Sequence, residues 1–199
     1  VTYFDAAGKP RYRQERNAAG AIVATTVFEY NPDGTFSQIR TDDDQQVSVT
    51  QRAATGQRTE QVERDDQGNI VARTNFRRNA DGSTTQVRTY DQGVTVETTF
   101  GANDALLSQN IIENGRLTST STFTQNPDGS TTQVRTDTAT GKATEINTLT
   151  NPDGTSVQTV KNPTGATSVT NFGADGEPVS RIERKPNGEI TATTTFSKD

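Results

Sequence analysis

The chain has 199 residues, a net charge of −5 and 28% hydrophobic residues, with no Cys, Met, Trp or His. The missing Cys excludes disulfides and thiolate chemistry, and the missing His removes the commonest general base and transition-metal ligand. Leu, Ile, Val and Phe together supply 35 of the 199 residues, a share low enough for disorder unless their placement is regular.

It is regular. Phe4, Phe28, Phe76, Phe100, Phe123, Phe172 and Phe196 fall 24, 48, 24, 23, 49 and 24 residues apart, with Arg52 and Thr148 at the two places without a ring. This is a repeat of about 24 residues whose units begin near Val1, Thr25, Val49, Arg73, Glu97, Thr120, Glu145 and Val169, with a partial unit from Thr193. A fixed period of that size marks an array of supersecondary units that bury their apolar faces only against one another.

In chain order, the first unit opens with Thr2-x-Phe4 and the turn signal Asp5-Ala6-Ala7-Gly8, and Gly20 marks a second turn half a unit later. The next strand reads Ile22-x-Ala24-x-Thr26-x-Phe28, with large groups at both ends and small ones between. It recurs as Ile70-x-Ala72-x-Thr74-x-Phe76 and Ile190-x-Ala192-x-Thr194-x-Phe196, and more loosely as Leu117–Phe123 and Ala166–Phe172. Turn signals follow the rings at Asn31-Pro32-Asp33-Gly34, Asn79-Ala80-Asp81-Gly82, Asn126-Pro127-Asp128-Gly129, Asn151-Pro152-Asp153-Gly154 and Ala174-Asp175-Gly176. Pro suits the second position of a type I turn, and Gly the left-handed position that closes a G1 bulge. Return strands carry Ile39, Val62, Val87, Ile111, Val134, Val160 and Ile182, and Gly68, Gly93, Gly115, Gly141, Gly165 and Gly188 mark the remaining turns. The segments 79–89 and 126–136 differ only at Ala80 versus Pro127, which is internal duplication.

Each unit thus reads strand, turn, strand, turn. Two packings fit a 24-residue period: a solenoid with equivalent residues stacked about 4.8 Å apart, or an antiparallel hairpin meander. Arg16, Arg40, Arg64, Arg88, Arg135, Lys161 and Arg184 recur in phase. Stacked in a solenoid they repel; on every second strand of a meander they have room for a partner. The turn chemistry agrees. The expected fold is therefore all-β: a meander of about sixteen strands in one array, curled or spiral because open twisted sheets rarely exceed about ten strands otherwise.

The segment Phe4-Asp5-Ala6-Ala7-Gly8, followed by a strand, Gly20 and another strand, resembles the YD repeats of Rhs-type proteins, which carry Tyr-Asp-x-x-Gly at each unit start. The resemblance runs over nearly the whole chain, with Phe in place of the usual Tyr. It implies a secreted or surface-borne bacterial chain whose hairpins build a shell or rod, which in Rhs-type proteins encloses a toxin domain; no toxin-like or self-cleavage segment is visible here.

No nucleophile elbow, phosphate loop or paired carboxylate dyad is present, so no enzyme, catalytic residue or cofactor is expected. Arg40, Arg88 and Arg135 form a candidate ladder for an anionic surface glycan, set against a solvated ladder paired with acids such as Glu63 and Glu183. The net negative charge argues against nucleic acid. No segment approaches the roughly eighteen apolar residues of a membrane helix. Asp42-Asp43-Asp44 offers clustered carboxylates but reads as a polar loop tip, so no metal is expected. Thr118-x-Thr120-x-Thr122 and Thr191-x-Thr193-x-Thr195 read as strand formers, and the Phe column as core. The strand complete at Ile190, Ala192, Thr194 and Phe196 is represented at the start only by Thr2 and Phe4. The sequence thus opens part-way through a strand, which predicts a longer parent array or a pairing partner from another chain. Terminal edges of an open sheet invite that pairing. The expected function is a non-enzymatic extracellular fibre, stalk or shell segment that associates with itself, with an adhesin or a phage-fibre module and an Rhs-like shell fragment as alternatives.

Overall fold

The computed structural model describes residues 1–197, so the last two residues of the partial ninth unit lie outside it. It separates into two compact units, Val1–Ala102 and Asn103–Asp199. The first holds β1 (Thr2–Phe4), β2 (Pro10–Arg16), β3 (Ile22–Tyr30), β4 (Phe36–Asp42), β5 (Val47–Arg52), β6 (Arg58–Arg64), β7 (Ile70–Arg78), β8 (Thr84–Tyr90) and β9 (Val94–Phe100). The second holds β10 (Leu106–Glu113), β11 (Arg116–Gln125), β12 (Thr131–Asp137), β13 (Ala143–Thr150), β14 (Ser156–Lys161), β15 (Thr167–Phe172), β16 (Pro178–Arg184) and β17 (Ile190–Thr195). Within each unit every strand pairs antiparallel with its neighbour in sequence, as in β3 with β4 and β15 with β16. The protein is all-β, with seventeen strands, an open antiparallel meander rather than a closed barrel, and no helix among the described residues.

The turns form as their residues dictate. In the turn after β3, the Gly34 amide donates to the Asn31 carbonyl and the Asn31 amide to the Thr35 carbonyl, at 3.1 and 2.9 Å. Asp33 Oδ1 accepts from both the Thr35 amide (3.0 Å) and its hydroxyl (2.7 Å). Gly34 has φ of +86°, and a Cβ there would sit 3.1 Å from Ala54 Cβ, so a side chain would be strained by the backbone and crowded against Ala54. The same bonding recurs around Asp81 and Asp128. In all three turns the carboxyl pKa is lowered, first by the hydroxyl donor and then by the amide.

Register decides the faces. Residues paired across antiparallel strands share a face. Ala24, Thr26 and Phe28 of β3 lie beside Asp42, Arg40 and Gln38 of β4. Val27 lies on the opposite face, in a row that continues through Ile39, Val49 and Val62. In this region the return-strand aliphatics therefore lie opposite the ring column. What is buried deepest is small: Ala72, Ser130, Ala24 and Thr85, then Thr74, Ser83, Ser119, Ser121 and Thr26, with Phe28 the buried ring. The stems of neighbouring long polar side chains provide cover, because Arg, Gln and Glu lay their methylenes on apolar surface and keep their heads wet. The expected Phe core holds at Phe28 and weakens to half-burial at Phe76, Phe100, Phe123 and Phe172.

Candidate functional site

The three candidate ladder arginines lie on β4, β8 and β12, each opposite a small residue of the preceding strand: Arg40 with Thr26, Arg88 with Thr74, Arg135 with Ser121. Two residues along that preceding strand is another small residue, Ala24, Ala72 or Ser119, which faces Glu15, Glu63 or Ile111 on the strand before it. Arg40 reaches Glu15 at 3.3 Å. Arg88 reaches Glu63 through two charge-assisted bonds of 2.6 Å each, a fork-to-fork pair. In both cases an ion pair arches over the intervening strand and roofs an alanine, leaving Ala24 2% and Ala72 1% exposed. A larger residue under the arch would hold the two heads apart. Arg88 also lies over the Tyr90 ring, 4.9 Å from its centroid, and Glu63 raises its pKa further.

Arg135 is different. Ile111 stands where the arch needs a glutamate, and Arg135 Nε donates instead to Ser119 Oγ at 3.0 Å. Among the described residues Arg135 forms no ion pair, and it borders an open groove of about 460 Å³ together with Ile111, Ser119, Asp137, Lys142 and Ile146.

The remaining members of the basic column do other work. Arg16, Arg64 and Arg184 sit where the ladder slips by one residue, and each donates to a glycine carbonyl of its own turn, Gly20, Gly68 or Gly188. Lys161 lies opposite Glu145 on the other face. The in-phase basic residues are therefore not one stripe but arch arginines and turn braces, with Arg135 and Lys161 apart. Arg52, at a ring position, braces its turn too, at 2.7 Å from the Gly56 carbonyl. Of the two arch glutamates, Glu63 is among the acids expected from sequence to pair with the basic column, whereas Glu15 is not, although the spacing in Glu15–Ala24–Arg40 and Glu63–Ala72–Arg88 is repeated. Asp42 accepts the Gln46 amide at 2.9 Å and closes its own turn, and among the described residues no three carboxylates gather around a cation site.

The terminal candidates contrast with their interior equivalents. Phe4 is 62% and Phe196 40% exposed, against 9% for Phe28. Thr2 and Thr194 are exposed where Thr26 and Thr74 are buried, and Ala192 is half-buried where Ala24 and Ala72 are covered; Ile190 is exposed, as its equivalents Ile22 and Ile70 also are. Val1, Tyr3 and Val179 add exposed apolar surface on or beside these strands.

No protein-family model matches the sequence, and no curated protein matches it. Among solved structures, the chain aligns over 98% of its length with a chain of the Photorhabdus luminescens Tc holotoxin pore, at 8% identity and a TM-score of 0.17. It aligns over 98% of its length with a chain of a TcdB2–TccC3–Cdc42 complex, at 9% identity and a TM-score of 0.16. It spans 17% of each of those chains. Likeness at these scores carries no functional argument.

Proposed function

We propose that the chain is a non-enzymatic structural repeat segment whose copies join through their terminal strands. One observation carries this: the repeated Ile-x-Ala-x-Thr-x-Phe strand buries its alanine and ring in β3, where it has a strand on each side, and leaves them far more open in β17, which among the described residues pairs with β16 alone. An unpaired backbone edge with exposed apolar side chains is a template for another strand. An extracellular setting, as fibre, stalk or shell, follows from the resemblance to Rhs-type repeats. An Rhs-like shell would use the same strand-to-strand continuation, with the next strand coming from a longer parent chain.

Sedimentation velocity over a wide concentration range, with negative-stain imaging, tests this. Concentration-dependent oligomers are expected; a monomer at the highest concentration reached would remove the proposal. Binding of an anionic glycan is a second reading, favoured at Arg135 alone, since Arg40 and Arg88 already hold carboxylates.

A further inference from the structure

Two arches share one register. A glutamate faces the alanine of the next strand, and an arginine on the strand after that faces the threonine two residues beyond: Glu15–Ala24–Thr26–Arg40 and Glu63–Ala72–Thr74–Arg88. Strands β16 and β17 hold the same frame with its last member vacant. Glu183 faces Ala192 and Arg181 faces Thr194, and among the described residues no strand follows β17 in sequence to offer an arginine.

The fitting residue is on β2. Arg13 faces Thr2 of β1 as Arg40 faces Thr26 of β3. Strand β1 is only three residues long and fully exposed, whereas β2 has seven, and Glu15 of β2 extends past the paired segment. The pairing of β1 with β2 is closed at its end by two bonds between Val1 and Gln14, both 2.8 Å. Strand β17, at six residues, carries the same Thr-x-Phe frame with Ile190 and Ala192 in addition.

We propose that β17 of one copy displaces β1 from β2 of a second copy, pairing Thr194 with Arg13 and Ala192 with Glu15 of the second copy, so that Glu183 and that Arg13 close an intermolecular arch over Ala192. This rests on the self-association proposed above and supplies its partner and register. Among the described residues each charged group has an ion pair within its own strand: Arg13 lies 3.6 Å from Glu15, and Glu183 3.0 Å from Arg181. Exchange keeps the backbone bonds that β1 supplied, places Ala192 beside Glu15, and covers Ala192 and Phe196 as their equivalents in β3 are covered.

The chain has no cysteine, so introduced thiols report the register directly. In the proposed pairing Thr193 meets Gln14 as a hydrogen-bonded pair, whose Cα separation of about 5.5 Å suits a disulfide. Full-length copies carrying Thr193→Cys are mixed with copies carrying Gln14→Cys and oxidised. A heterodimeric disulfide is expected from that pair, and none from Thr193→Cys mixed with Arg13→Cys, whose side chains leave opposite faces. Separately, Arg13→Glu is expected to weaken association about tenfold, and Arg13→Glu with Glu183→Arg to restore it; far-UV circular dichroism checks the fold of each variant. Association that survives with cross-links at another register, or that ignores both charge reversals, overturns the inference and leaves self-association standing. Absence of any association in the unmodified chain overturns both.

Discussion

Arg88 and Arg135 lie in segments of eleven residues that differ at a single position, Ala80 versus Pro127. Their turns are bonded alike, with Asn79 and Asn126 each donating to a serine and a threonine hydroxyl. Yet Arg88 grips a carboxylate through two bonds, and Arg135 holds a single serine hydroxyl. The difference lies two strands upstream, where Glu63 in one unit corresponds to Ile111 in the other. A repeat unit therefore specifies its own turn and strand, but its electrostatics are completed by neighbours, as expected of a quasi-one-dimensional array.

The harshest way to break this contrast is to fill the space under the arch. Ala72 is 1% exposed beneath the Glu63–Arg88 pair. Ala72→Leu has to push the roof apart, and overpacking of this kind is expected to cost about 2 kcal/mol. The same change at Ser119 removes one hydrogen bond from the Arg135 guanidinium but has no ion pair to push apart and places the new side chain beside Ile111, so its cost should be smaller, about 1.5 kcal/mol or less. Chemical denaturation of the two variants compares them; equal losses would mean that the arch gives Ala72 no special constraint.

A gentler test measures the ion pair alone. A double-mutant cycle of Glu63→Ala with Arg88→Ala should return a coupling of about 1 kcal/mol, at the upper end for a partly exposed pair because the geometry is bidentate. The cycle of Ile111→Ala with Arg135→Ala should return close to zero. Ile111→Glu should then create a coupling to Arg135 of about half a kcal/mol or more. Failure of that graft would show that the arch needs more than its two charged ends and a small residue between them.

Much of this architecture was readable beforehand, for physical reasons that differ by element. Turns were the clearest, because Asn-Pro-Asp-Gly fixes φ at Pro32, demands a left-handed residue at Gly34 and supplies its own hydrogen bonds at Asp33. Strand order followed from those turns, since a tight reversal joins adjacent antiparallel strands. The face of each residue did not follow, because it depends on register across two turns. Ile39, expected only as a return-strand aliphatic, pairs with Val27 on the face away from Phe28. The in-phase arginines looked like one column because period alone cannot see the one-residue slips after Glu15, Glu63 and Glu183 that turn Arg16, Arg64 and Arg184 toward glycine carbonyls. The arch itself was legible in principle. Its three members recur at matched spacing, but an ion pair that skips a strand is seen only once the register is known.

The smallest effect sharpens the comparison from the other side, by perturbing what the two regions share. Asp81 and Asp128 occupy equivalent turns, and each accepts a serine amide at 2.9 Å and the same residue's hydroxyl at 2.6 or 2.7 Å. These donors favour the charged carboxylate, so both folded-state pKa values lie below the ordinary 3.8. A carboxyl group with a depressed folded-state pKa binds its proton more readily when unfolded. Its contribution is therefore complete above about pH 4 and is lost as pH falls from there through the folded-state value. Thermal unfolding followed between pH 5 and pH 2 should show a steepening loss below about pH 4, and Asp81→Asn or Asp128→Asn should each flatten it by a similar, small amount. Because the two turns are alike, a clear inequality between these variants would place the difference between the regions in the turns themselves. Equality confines it to the strand two places upstream, where Glu63 and Ile111 part company.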